Sequence, residues 1–159
     1  MDDSLEALTA LLHRAYAELA DMGLRYRATH QSVDDTRERV STGECWVADS
    51  SGKVVATILL IPPGALNGVS AWYSRPGVAV VSQFGVEPSL QRRGVGSRLL
   101  GKMEQRALEL GAVEVAIDTA EPAEHLVRLY ERRGYRFIER VQWNHTNYTS
   151  VILSKTLQR

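Results

Sequence analysis

Seven consecutive residues, Gln91, Arg92, Arg93, Gly94, Val95, Gly96 and Ser97, carry the clearest chemistry in this sequence. They follow a β-branched run ending at Val86 and open a segment, Gln91 to about Leu110, in which Val95, Leu99, Met103 and Ala107 recur at helical spacing. The first N–H groups of a helix have no partner within it, and the helix dipole adds positive potential. Each such interaction favours an anion by about 0.3–1 kcal/mol at an exposed site. Arg92 and Arg93 add full charges, and Gly94 and Gly96, lacking Cβ, let a phosphate approach the main-chain amides. Two glycines also permit a tight turn with no ligand, so context decides. No Gly-Lys-Ser or Gly-Lys-Thr ends the segment, which excludes the ATP-type loop, and Leu99 stands where the dinucleotide fingerprint needs its third glycine.

In this context the segment resembles the core motif of the GNAT superfamily of acyl-CoA-dependent N-acyltransferases: Gln or Arg, two residues, Gly, one residue, then Gly or Ala. Gln91, Gly94 and Gly96 match it. The resemblance extends through Phe84-Gly85-Val86-Glu87-Pro88, the helical Leu99 and Leu100, and the later Leu129-Tyr130-Glu131-Arg132-Arg133-Gly134-Tyr135, covering roughly the last half of the chain. It implies an α/β chain with one mixed, largely antiparallel sheet, splayed at a central β-bulge and flanked by about four helices, in a single domain over 1–159. It also implies acetyl-CoA as cosubstrate, with the main chain of Phe84 and Val86 meeting the pantetheine and Gln91 to Ser97 holding the pyrophosphate. Tyr130 resembles the family's tyrosine that protonates the departing thiolate. A phenol of pKa about 10 is protonated at neutral pH and can donate to a thiolate of pKa about 8.5. On spacing alone Tyr130 is equally an aromatic on a buried stripe with Leu126 and Leu129. The chain departs from the family at Ala123, where many members have Asn. It departs again at its start, where a helix begins almost at Met1 and leaves the first family strand to Leu24–Ala28, or absent.

Transfer to an amine needs a proton acceptor, because an ammonium of pKa about 10.4 is free amine in only roughly one of a few thousand molecules at pH 7. The run Val78–Val86 holds Ser82 and Gln83 but no carboxylate. Asp118, His145 and Glu121 are the candidate bases, each with an ordinary reading as a solvated or capping residue. Tyr26, His30, Trp46, Trp72 and Tyr73 are candidates to line an acceptor pocket. Trp72, Tyr73 and Arg75 stand out because they lie in a Pro- and Gly-rich loop with no carboxylate between Ile61 and Val78. That pattern points to a small, largely uncharged or weakly basic amine, with Arg75 able to select an acceptor bearing a carboxylate. Two alternatives stay open: a non-catalytic acyl-CoA-binding sensor, and acetylation of protein N-termini or lysines.

The elements that must position these groups follow from periodicity and breakers. Leu5, Leu8, Leu12, Tyr16 and Leu19 predict a helix from Asp3, capped by Asp3 and Glu6. Ser32 and Asp35 predict a second cap, although only Val33 and Val40 give that helix an apolar stripe before Gly43. Cys45–Asp49 and Lys53–Ile61 read as a hairpin, Val78–Val86 as a central strand, and Val113–Asp118 as a short strand. A helix near Pro122 ends at Gly134, and Tyr135–Val141 and Tyr148–Leu153 complete the strands.

Composition bounds the rest. Nineteen Lys and Arg balance nineteen Asp and Glu, so no overall field draws the chain to nucleic acid or an acidic membrane. Cys45 is the single cysteine, which excludes an intrachain disulfide, and the four histidines show no metal spacing, so no metal is expected. The start has no basic leader, and the longest apolar run is far below the roughly 20 residues of a membrane span. A cytoplasmic protein is expected, with a homodimer left open.

Overall fold

The computed structural model describes residues 2–158, with side chains described from residue 5. Among the described residues the elements are α1 (Asp2–Ala15), α2 (Ala17–Asp21), α3 (Val33–Val40), β1 (Glu44–Ser50), β2 (Lys53–Ile61), β3 (Val78–Val86), α4 (Val95–Glu109), β4 (Glu114–Ala120), α5 (Glu124–Arg132), β5 (Arg136–Val141) and β6 (Ser150–Thr156). Short 3₁₀ turns occupy Arg27–Thr29 and Pro88–Leu90. The strands form one sheet in the order β1-β2-β3-β4-β6-β5. All neighbours are antiparallel except β3 and β4, which run parallel. This is the mixed, largely antiparallel sheet that the resemblance implied.

Alternation along the strands sorts their side chains onto two faces. On one, Ala56, Ile58, Leu60, Ala79 and Val81 meet Leu99, Leu100, Met103 and Ala107 of α4. On the other, Leu59, Ile61, Val80 and Ile152 pack with Tyr73 and Trp72 of the long loop. The predicted stripe of α4 is therefore the buried one.

Two local irregularities decide the shape of the sheet. Thr57 of β2 faces Gly85, but Leu59 faces Ser82, so β3 carries one extra residue between them. Gln83 takes it up in the left-handed region, at φ 47°, and this is the expected central bulge. The second irregularity is the brevity of the parallel pairing, which covers only Val78–Val80 against Glu114–Ala116. Beyond Val80, β3 stays with β2 while β4 stays with β6, so the edge of β3 from 81 to 86 has no strand beside it on the β4 side.

Several boundaries differ from the sequence reading. The first helix is interrupted at Tyr16, whose φ −97° and ψ 3° leave the helical region and separate α1 from α2; the Asp3–Glu6 cap lies outside the described side chains. The strand considered at Leu24–Ala28 is absent, and a 3₁₀ turn stands at its end. Helix α4 begins at Val95 rather than Gln91, because Arg92 (φ 66°) and Gly94 (φ 83°) are left-handed and cannot continue a right-handed helix. The Ser32 cap forms a complete capping box, with Asp35 N–H donating to Ser32 Oγ at 3.1 Å and Ser32 N–H to Asp35 Oδ2 at 2.9 Å. Ala123, buried, is the cap residue of α5 and offers no side-chain bond.

Met103 is fully buried between α4 and the sheet. Met103→Ala should destabilise the protein by about 2–5 kcal/mol through lost transfer energy and a residual cavity. Urea unfolding checks this, with the midpoint falling and the slope unchanged.

Candidate active site

The divergence of β3 from β4 opens a cleft of ≈ 980 Å³, with α1 and α2 on one side and α4 and α5 on the other. Its floor is the unpaired edge of β3. An extended chain bearing amides can lie on such an edge as an added strand. The Phe84 carbonyl is already an acceptor, taking a hydrogen bond from the Tyr16 hydroxyl at 3.0 Å. Gln91 Nε2 reaches the Val86 carbonyl at 3.3 Å. The Phe84 and Val86 carbonyls, expected to meet a pantetheine, therefore already have these partners.

At one end lies the turn into α4. Gly94 and Gly96 are there for different reasons. Gly94 is left-handed, at φ 83°, with open space where a Cβ would be. Gly96 is in the helix, and a Cβ on it would lie 3.1 Å from Val86 Cγ2 and 3.2 Å from Phe84 Cζ. It lets α4 press against β3, so its conformational freedom is not what matters. Arg92 and Arg93 are exposed. Neither has a hydrogen bond or ion pair among the described residues, so both are available to an anion. Ser97 Oγ accepts from Arg133 Nη1, while Arg133 Nε is buried without a partner among the described residues. Arg133 lines the cleft and was not singled out from sequence.

Tyr130 is 5% exposed on the wall of the cleft. Its ring meets Tyr135 edge-on at 5.8 Å, and its hydroxyl has no hydrogen-bond partner among the described residues. Burial raises its pKa well above that of an ordinary phenol, with nearby Tyr16, Tyr26 and Asp118 adding to the effect. It holds its proton at neutral pH.

At the other end, Asp118 accepts from the Tyr73 hydroxyl at 2.6 Å and from Trp143 Nε1 at 3.0 Å. Tyr73 is buried and lines the cleft, as the sequence reading asked. Trp72 and Arg75 are not part of the cleft lining; Arg75 stacks on Trp72, 4.5 Å from the ring centroid. Trp72 was drawn there by packing against the sheet. Neither Trp46, on the edge strand β1, nor His30 lines the cleft, whereas Tyr26 does. Of the three candidate bases, Asp118 and His145 line the cleft. Glu121 instead pairs with Arg140 beside a separate, smaller groove. His145 is pushed below the ordinary histidine value, first by desolvation and then by Arg27.

Sequence reasoning missed a polar cluster on the same side of the cleft. Arg39 donates to Gln31 Oε1 at 2.7 Å and to Ser82 Oγ at 2.8 Å. Gln31 Nε2 donates to Thr36 Oγ1 at 2.7 Å and to Gln83 Oε1 at 2.8 Å. The signal was the poor apolar stripe of α3: a helix with so little to bury has to dock by polar contacts.

The cleft thus lies between a bulged strand and the start of a helix. Residues 5–135 match the sequence model of the Acetyltransferase (GNAT) family, and the chain belongs to it. It is an acetyl-CoA-dependent acyltransferase. Over 135 residues, 82% of this chain and 77% of the relative, it is 31% identical to an S-(2-succino)cysteine N-acetyltransferase of Bacillus subtilis (strain 168). Two solved structures share the fold. Ard1 from Thermoplasma volcanium superposes with a TM-score of 0.75 at 16% identity, covering 98% of this chain and 94% of that one. A GNAT family acetyltransferase from Elizabethkingia anophelis with acetyl-CoA bound gives 0.62 at 17% identity, covering 79% and 84%. Among the described residues no group of three or more His, Cys, Asp or Glu is placed to hold a metal ion, and no helix is long and apolar enough to cross a membrane.

Replacing both Arg92 and Arg93 by Ala should weaken coenzyme A binding roughly tenfold, the sum of two modest charge interactions. Calorimetric titration at two salt concentrations checks this: the variant should lose part of the salt dependence of the native protein while keeping its melting temperature. Gly96→Glu is the less clean probe, because its Cβ would crowd Val86 and Phe84 as well as the anion.

Proposed function

We propose that the chain, as a single domain over 1–159, transfers the acetyl group of acetyl-CoA directly to the amine of a small-molecule acceptor. The observation that carries this reading is one continuous cleft, bounded by the unpaired edge of β3 and the start of α4 at one end and by Asp118, Tyr26 and Tyr73 at the other. In this reading Arg92, Arg93 and the amides from Gly94 to Ser97 hold the pyrophosphate, with Gln91 fixing the turn. The main chain of Phe84 and Val86 meets the pantetheine. The open space beside Gly94 suits a phosphate, and Gly96 lets the start of α4 lie close against β3. The relative named for S-(2-succino)cysteine supports a small acceptor over a protein tail.

When bound, the cosubstrate supplies an activated thioester. The protein supplies the proton traffic. Asp118, its two oxygens already held by Tyr73 and Trp143, sets the negative potential that receives an ammonium. His145, neutral at pH 7 because its pKa is depressed, takes the proton that the amine must lose. Tyr130 gives a proton to the sulfur as the carbon–sulfur bond breaks, so the thiol leaves uncharged. The direct test is release of coenzyme A thiol from acetyl-CoA across a panel of amines that includes S-(2-succino)cysteine, polyamines and basic peptides. Absence of amine-dependent release, with coenzyme A still bound, favours a sensor.

Tyr130→Phe should lower kcat by about 10²-fold with little change in affinity for coenzyme A, since the ring still packs on Tyr135. Unchanged turnover would make Tyr130 a packing residue. The pH profile tests His145. In the native protein kcat/KM should rise with unit slope only up to a pKa below the ordinary 6.5 and then level. In His145→Ala the rise should continue to the pKa of the amine itself; an unaltered profile would place the base elsewhere.

A further inference from the structure

We propose that Arg39, together with Arg27 and Gln83, forms a carboxylate-binding subsite in the acceptor half of the cleft, so that the acceptor is an amine of the amino-acid type. The inference rests on the transferase reading above and names its substrate class.

Several cations that tie one element to another elsewhere in this chain meet carboxylates. Arg106 meets Glu44, Arg133 and Lys155 meet Glu104, and Arg136 meets Glu114. Arg39 ties α3 to β3 without one. Its guanidinium donates to two neutral oxygens, Gln31 Oε1 and Ser82 Oγ, and has no ion pair among the described residues. Desolvation, reinforced by the charge of Arg27, holds its pKa down to about 10, so it remains a cation at neutral pH. A partly buried charge without a counter-ion is unfavourable and persists where something else needs it. A guanidinium has five N–H donors, of which two are used here. The group is also held in place: Gln31 is fixed by Thr36 and Gln83, its carbonyl by His13 Nε2 at 2.8 Å, and Thr36 by Thr9 at 2.6 Å. Such a braced fork suits a carboxylate.

A second, independent observation points to the same ligand. Gln83, the bulge residue, lines the cleft at 3% exposure, and its Nε2 is buried with no partner among the described residues. Leaving such a donor unmet is costly, and a carboxylate oxygen would satisfy it. Among the described residues the cleft lining holds two carboxylates, Glu18 and Asp118, and five arginines, so the acceptor half is open to an anion. With Asp118 on β4 and Arg39 against Ser82 of β3, the opposed charges match an ammonium and a carboxylate in one small molecule. The role that the sequence offered to Arg75 thus passes to Arg39.

The test compares matched acceptors on the native protein: L-methionine, L-phenylalanine and L-aspartate against methioninamide, phenylalaninamide and aspartic acid α-amide. The acids should be preferred by about 10²-fold in kcat/KM, in keeping with loss of a charged hydrogen-bond pair in the amides. Arg39→Gln should reduce that preference by a similar factor, through KM of the acid, with coenzyme A affinity unaltered. Amides as good as acids in the native protein would overturn the subsite while leaving the transferase intact, a result that stands even if Arg39→Gln fails to fold. No turnover of any amine, with coenzyme A bound, would overturn the transferase reading on which the subsite depends.

Discussion

One extra residue in one strand organises this molecule. A parallel pair normally continues until its strands end, because each added residue gains ladder hydrogen bonds. Here the ladder between β3 and β4 stops after Val80 and Ala116. The extra residue, absorbed at Gln83 with φ 47°, bends β3 toward β2 and away from β4. A left-handed glutamine is unfavourable by about 1–2 kcal/mol, and it is held by its buried bond to Gln31. Helix α1 reinforces the bend: Gly85 leaves only 3.0 Å between a hypothetical Cβ and Ala15, and Tyr16 reaches the Phe84 carbonyl. The cleft is what remains when two strands of one sheet are each committed to a different neighbour.

The same divergence explains how the two ends of the cleft acquire different chemistry. Strand β3 runs on into Pro88–Leu90 and the left-handed Arg92 and Gly94, so the start of α4 comes to the open edge with its amides and exposed arginines. Strand β4 continues with β6 and carries Asp118 on the opposite wall, where Tyr73 from the long loop and Trp143 from the loop before β6 take both its oxygens. Tyr130, on α5, lies on the wall of this cleft with its proton secured by burial. In the proposed reading, phosphate recognition, proton donation and amine reception come from elements distant in sequence but tied to a single discontinuity in the sheet.

Charge is arranged locally because the chain as a whole has none to spare, with equal numbers of acids and bases. Carboxylates are used where helices and strands meet, as in Glu104 beneath Tyr135, Arg133 and Lys155. Among the described cations without an ion pair, Arg27, Arg39, Arg92 and Arg132 line the cleft.

The sequence by itself determined the strands at Lys53–Ile61 and Val78–Val86, the apolar face of α4, the turn that precedes α4 and the family. Each is encoded within a short window by periodicity, glycine placement or motif spacing, so local physics suffices to read it. It did not determine the acceptor wall. Trp72 and Arg75 had the composition of pocket residues, yet packing drew the ring of Trp72 against the sheet and Arg75 stacked upon it. Arg39 belongs to no motif or spacing pattern in the sequence. Only the docking of α3 and Gln31 onto Thr9, Ser82 and Gln83 partly buries it, through contacts that span up to 52 positions, a separation over which no sequence pattern specifies a contact.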